Sequence, residues 1–411
     1  MDTVSQLFLE AVKASLKNER ISWQREISAQ QWKELFRLAS THQMLPMVYE
    51  AVQGCPALAS AEPALLAQIR GVVLREVSIQ ARKTLEFLQL YRRVTAAGIS
   101  ALVVKGIVCR ELYPMPDYRT SGDEDVLILP EQYEACKAVF TGFGMVPSEP
   151  EMDEEASYEV PFGRKGSPIY IELHKSLFPP QSDAYGDFNR FFEGVHDRAA
   201  EVKLMGTVIR TMSPTDHLFY LICHAFKHFL HSGFGIRQVC DMVLFANTYG
   251  PDICWDRVLE NCRAIRADRF AAALFAIGEE YLTFAPEKAC YPGFGDRTDT
   301  APLLEDLLCA GVYGDAEASR KHSSNITLEA VSAQKKGETA RGSLASSLFP
   351  PAAKLEGRYP YLKDKPWLLP VAWASRMVRY GKRGKTGADA AESLRLGNRR
   401  VELMRHYGII E

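Results

Sequence analysis

The stretch that most constrains this chain is Val103 to Leu129, VVKGIVCRELYPMPDYRTSGDEDVLIL. An apolar strand enters a Lys105-Gly106 turn, then a short helix and a loop stiffened by Pro114 and Pro116. A second apolar strand follows directly on Asp123-Glu124-Asp125. Side chains alternate along a strand, so Asp123 and Asp125 share one face and Glu124 takes the other. Two carboxylates on one face repel each other, and a cation between them removes the repulsion. The run Val126-Leu127-Ile128-Leu129 marks an interior strand, which places the acidic pair where that strand reaches the protein's edge.

A third carboxylate lies downstream. Tyr158, Val160 and Phe162 alternate, Arg164-Lys165-Gly166 turns, and Ile169 to Lys175 returns, which predicts a hairpin. Glu172 and His174 share one face of the return strand, and that strand is expected to pair beside Asp125. Three carboxylates on neighbouring strands suit two hard cations, Mg²⁺ or Mn²⁺. One ion would lower the pKa of an attacking hydroxyl, and the other would hold a triphosphate. At the upstream turn Gly106 lets backbone N–H groups approach a phosphate, and Lys105 adds positive charge. Arg119 and Ser121 lie just before the acidic pair. Arg119 suits either a triphosphate contact or a neutralising salt bridge. His174 reads as a hydrogen-bonded structural histidine.

The remaining chain is mostly helical in pattern, so the expected class is α+β, a mixed sheet with flanking helices. Residues 1–97 read as a helical packing layer with Ser28 as an N-cap and a long helix from Ala64 to Ala97. Residues 98–212 form the expected catalytic domain and 213–312 a helical bundle. That bundle opens on a helix whose His217, His224, His228 and His231 share one face, with Lys227 beside them. Lys227 and His228 are expected to turn toward the cleft and contact phosphates or base. His224 and His228 have the spacing of a zinc pair but lack the accompanying glutamate. Arg237 and Asp241 are spaced for a salt bridge. Residues 313–347 read as a polar linker, and 348–411 as a C-terminal segment with a basic run, Arg376–Lys385. A net charge of -2 gives no bulk attraction to nucleic acid. Nine scattered cysteines form no C-x-x-C, and Cys109, Cys136, Cys223 and Cys240 read as buried thiols in a reducing compartment. No apolar run is long enough for a membrane span, so the cytoplasm is the expected location.

The run from Lys105-Gly106 through Tyr113-Pro114, Arg119, Ser121, Asp123 and Asp125 resembles the bacterial uncharacterised nucleotidyltransferase family of the polymerase-beta-like nucleotidyltransferase superfamily. Ile171-Glu172-Leu173-His174 is similar to its third-carboxylate strand, and Trp32 to Tyr49, His217 to Phe245 and Leu348 to Met377 resemble further segments. The resemblance implies that Asp123 and Asp125 hold the metals and that Glu172 completes the site and acts as base. It implies an NTP co-substrate and transfer of a nucleoside monophosphate to a hydroxyl on a small molecule, glycan precursor or protein. This chain has Lys-Gly where the superfamily has a glycine-serine turn, and Glu124 where an apolar residue is usual. A nucleotide-binding regulatory protein and a toxin-like enzyme modifying tRNA are the alternatives.

Overall fold

The computed structural model describes residues 1–295, 299–311, 318–336, 352, 355, 359, 361–382 and 387–411. Helices α1 (Thr3–Leu16), α2 (Ala29–Thr41) and α3 (Leu45–Val52) precede the 34-residue α4 (Pro63–Ala96). Ser28 caps α2 as expected: its side chain accepts from the Gln31 N–H, and the Gln31 side chain accepts from the Ser28 N–H.

Strands β1 (Leu102–Val104), β2 (Glu124–Leu127), β3 (Val146–Pro147), β4 (Glu159–Gly163) and β5 (Tyr170–His174) make one sheet in the order β1-β2-β5-β4-β3. β2 and β5 are parallel, and the other neighbours are antiparallel. The β2–β5 register sets Asp125 against Glu172, Val126 against Leu173 and Leu127 against His174. Hydrophobic alternation fixes this register, since a one-residue slip would turn every side chain to the other face. Val126, Ile171, Leu173, Val160 and Phe162 join Phe87, Leu88 and Tyr91 of α4 in one core, with Cys136 and Phe140 of α6 (Tyr133–Gly142). Asp125, Glu172 and His174 therefore look away from that core, toward α7 (Pro214–Leu230).

A two-stranded ribbon, β6 (Ala200–Leu204) and β7 (Thr207–Thr211), leads into α7. Helices α8 (Ile236–Tyr249), α9 (Trp255–Ala264), α10 (Asp268–Tyr281) and α11 (Ala301–Ala310) continue the bundle. Inside the stretch expected to be a polar linker, α12 (Ala318–Lys335) is helical. It packs on a C-terminal helix, Gly387–His406, where Gly397 permits close approach because a Cβ there would lie 2.6 Å from Ile326 Cδ1. The pair grips the end of α7. Thr327 Oγ1 donates to the Leu230 carbonyl, and the buried Arg400 donates to those of Phe229 and His231. The side chains of the basic run Arg376–Lys385 lie outside the described residues, as do residues 349–351. Among the described residues no helix is long and apolar enough to cross a membrane.

Between β1 and β2 lies the short helix α5 (Gly106–Arg110). Glu124, on the face opposite Asp125, is fully buried, accepts from the Ile107 N–H at 2.7 Å and pairs with the fully buried Arg110. This contact explains Gly106. Its φ is +33°, and a Cβ there would lie 2.0 Å from Glu124 Oε2. Gly106→Ala should therefore lower stability by about 2–4 kcal/mol, through overpacking and backbone strain. Urea denaturation checks this, and an unchanged midpoint would contradict the packing role.

Candidate active site

The repulsion expected between Asp123 and Asp125 is relieved from within the chain. Lys105 Nζ lies 2.8 Å from Asp125 Oδ2 in a pair almost wholly removed from solvent. Asp125 nevertheless carries burial that would raise its pKa, and Lys105, with His174 and His224, holds it well below the usual carboxylate range. Burial in turn disfavours the Lys105 ammonium, but Asp125 and Asp123 keep its pKa well above the ordinary value. The backbone aims the side chain: Lys105 has φ +62°, unusual for a residue with a Cβ.

Histidines of α7 hold this turn. The Lys105 N–H donates to His217 Nε2 at 2.9 Å, so the ring proton lies on Nδ1, 3.2 Å from Thr211 Oγ1. The Thr211 hydroxyl donates onward to the Val103 carbonyl at 2.6 Å. Burial brings the His217 pKa down to about 3, so the ring is neutral. His224 Nδ1 faces Gln238 Oε1 at 3.4 Å, which leaves Nε2 to accept from Lys105 Nζ at 3.2 Å, with His228 Nε2 3.3 Å away. Burial and the Lys227 charge lower His228 to about 3. His231 lies just past the helix and meets the Tyr185 hydroxyl at 2.5 Å. The stripe thus divides: His217 and His224 serve the Lys105 turn, His228 backs His224, and His231 serves Tyr185. Lys227 is half-buried over the Tyr158 ring, with Glu159, Glu172 and Asp125 acting on its charge.

Across the strand pair, Glu172 is pushed up to about 9 by burial and by Asp125, Asp123 and Glu159. Asp125, Glu172 and His174 each offer a ligand atom, and these atoms all lie within 4.8 Å of one another. Asp123, half-buried on the residue before β2, stands outside that group, although its charge acts on Glu172, Lys105 and Lys83. Two carboxylates and an imidazole are a donor set that a divalent cation fits. His174 is hydrogen-bonded as expected, buried with Nε2 3.3 Å from Asp125 Oδ1, and the same nitrogen lies 3.8 Å from Glu172 Oε2.

The loop before Asp123 is fastened from elsewhere. Arg119 Nε and Nη2 donate to Asp241 Oδ1 and Oδ2 at 2.7 and 2.6 Å, and the Tyr113 hydroxyl donates to the same carboxylate at 2.7 Å. Of the two roles weighed for Arg119, the structure shows the salt bridge, made to α8 rather than to the acidic pair. Arg237, spaced to pair with Asp241, instead donates to Gln43 Oε1 and the Thr120 carbonyl. Ser121 is held at all three polar groups: its N–H by Gln80 Oε1, its carbonyl by Lys83 Nζ and its hydroxyl by Arg110 Nη2, each at 3.0 Å. Sequence reasoning missed Lys83 and Gln80. Their signal is three polar residues, Gln80, Lys83 and Thr84, on the otherwise apolar buried stripe of α4. Burial lowers Lys83 to about 8, opposed by Glu124, Asp123 and Asp125. Glu159, opposite His174 in the β4–β5 ladder, was missed too, and its alternation with Val160 was the available clue.

Two measurements check these electrostatics. Lys105→Met leaves Asp125 buried without its counter-ion and should cost about 3–5 kcal/mol. A loss under about 1 kcal/mol in chemical denaturation, the scale of an exposed pair, would contradict a buried lock. For Glu172 the folded pKa, about 9, lies above the ordinary value of 4.5. The unfolded chain thus binds fewer protons between pH 4.5 and about 9, and stability falls as pH rises through that window. Glu172→Gln removes the penalty, so it should melt above the parent at pH 8 and close to it at pH 4. An offset independent of pH would refute the assignment.

A family model described as an uncharacterised nucleotidyltransferase matches residues 28–283, from the Ser28 cap to just past α10. The match takes in the whole five-stranded sheet, the acidic strands and the histidine helix. No curated protein matches the chain. On this match over more than half its length, the chain belongs to the uncharacterised nucleotidyltransferase family.

Proposed function

We propose that this chain transfers a nucleoside monophosphate from an NTP to a hydroxyl on a small molecule, a glycan precursor or a protein, releasing pyrophosphate. One observation carries the reading: within a nucleotidyltransferase family, Asp125 and Glu172 stand in register on a polar sheet face. Asp125 and Glu172, with Asp123 alongside, would hold Mg²⁺ or Mn²⁺. When bound, such an ion offsets phosphate charge and lowers the pKa of the attacking hydroxyl.

The chain's own residues supply orientation and charge. Lys105 and Lys227 face the same space as the carboxylates and offer positive charge to a triphosphate. The acceptor oxygen forms a bond to the α-phosphorus while the bond from that phosphorus to the pyrophosphate oxygen breaks. The hydroxyl proton passes to Glu172, the carboxylate in register with Asp125 on the same face. Arg119 and Ser121 fix the loop that delivers Asp123.

The Lys105–Asp125 pair also favours a second reading, nucleotide binding without turnover, because an internal ammonium already offsets Asp125. Incubating the protein with each NTP, Mg²⁺ or Mn²⁺ and candidate acceptors separates the two. Transfer predicts pyrophosphate release with an acceptor mass gain of one nucleoside monophosphate, both lost in Asp125→Asn. Nucleotide binding without pyrophosphate would favour the second reading, and no nucleotide binding would refute both.

A further inference from the structure

We infer that His174 is a direct metal ligand and makes this site selective for a divalent transition ion such as Mn²⁺ over Mg²⁺. The inference rests on the reading of the polar sheet face as a metal site, and it concerns which ion that face takes.

The two oxygens of Asp125 have different neighbours. Oδ2 meets the Lys105 ammonium at 2.8 Å, whereas Oδ1 meets His174 Nε2 at 3.3 Å. The ligand group of Asp125, Glu172 and His174 thus includes a carboxylate whose other oxygen is the one held by lysine. Lys105 and a cation can therefore share Asp125 without competing for one oxygen.

The imidazole is placed for this role. His174 is 3% exposed, and it sits at the end of β5 in register with Leu127, which fixes it on the face of Asp125 and Glu172. Its Nε2 lies between the two carboxylates, at 3.3 Å from one and 3.8 Å from the other. Its Nδ1 is buried with no hydrogen-bond partner among the described residues, 3.5 Å from Glu159 Oε2 on the neighbouring strand. A carboxylate beside the far ring nitrogen is how metal-bound histidines are oriented and made more basic. Glu159 is therefore a positioning residue, acting through His174. Imidazole discriminates against Mg²⁺, a hard ion that favours oxygen donors and retains its waters.

Titrating Mn²⁺ and Mg²⁺ into nucleotide-free protein by calorimetry, with pulsed electron paramagnetic resonance of the Mn²⁺ complex, tests the inference. Parent protein should bind Mn²⁺ at least about tenfold tighter than Mg²⁺ and show nitrogen coupling from one directly bound imidazole. His174→Ala should lose that coupling and weaken Mn²⁺ at least about tenfold, with Mg²⁺ changed far less. The spectrum of the parent alone decides the ligation should the variant not fold. Equal affinities without nitrogen coupling, in a protein whose binding is lost in Asp125→Asn, would overturn the role of His174 and leave the metal site standing. Binding of neither ion, or binding unchanged in Asp125→Asn, would overturn the metal site itself.

Discussion

Everything on the polar face depends on where Asp125 is held. Its carboxylate is buried, and burial of an unpaired charge is costly enough that a protein must supply a partner. The partner here is Lys105, delivered from the adjacent strand end by a turn with positive φ and kept in place by His217 and His224. Once that pair is fixed, the parallel register of β2 and β5 brings Glu172 and His174 to the same place. Glu172 then stands among like charges, and the electrostatic field of the site follows.

The surrounding elements can be understood as supports for that arrangement. Helix α4 fastens Ser121 through Gln80 and Lys83, which fixes the approach to Asp123. Helix α8 fastens the same loop from the other side through Asp241 and Arg119. Helix α7 carries the imidazoles that brace Lys105, and its last carbonyls are capped by Arg400 and Thr327, which lie beyond the family match. Groups held by buried hydrogen bonds need little reorganisation when charge develops beside them, which is the property an enzyme of phosphoryl chemistry requires.

The sequence was legible where a period or a local signal decides the structure. The acidic strand and the β4–β5 hairpin, with Glu172 and His174 on one face, follow from two-residue alternation, and the Ser28 cap follows from a local motif. Pairings between distant segments were not legible. Arg119 finds Asp241 across 122 residues, and nothing near either residue in sequence distinguishes that partner from Asp123 or Asp125. The pairing of Lys105 with Asp125 depends on a backbone angle that composition does not encode. Lys83 was hidden in a helix rich in charged residues, most of which are solvated, and nothing near Gly106 in sequence marks the close approach of the Glu124 carboxylate.

On the proposed function, the face bearing Asp125 and Glu172 binds a metal–nucleotide complex. The most direct measurement of this is a crystal structure with Mn²⁺ and a non-hydrolysable NTP analogue, read by the anomalous scattering of manganese. An anomalous peak is expected within coordination distance of both Asp125 and Glu172, with the triphosphate on the same face. Bound nucleotide elsewhere on the protein, with no anomalous peak at these carboxylates, would contradict it.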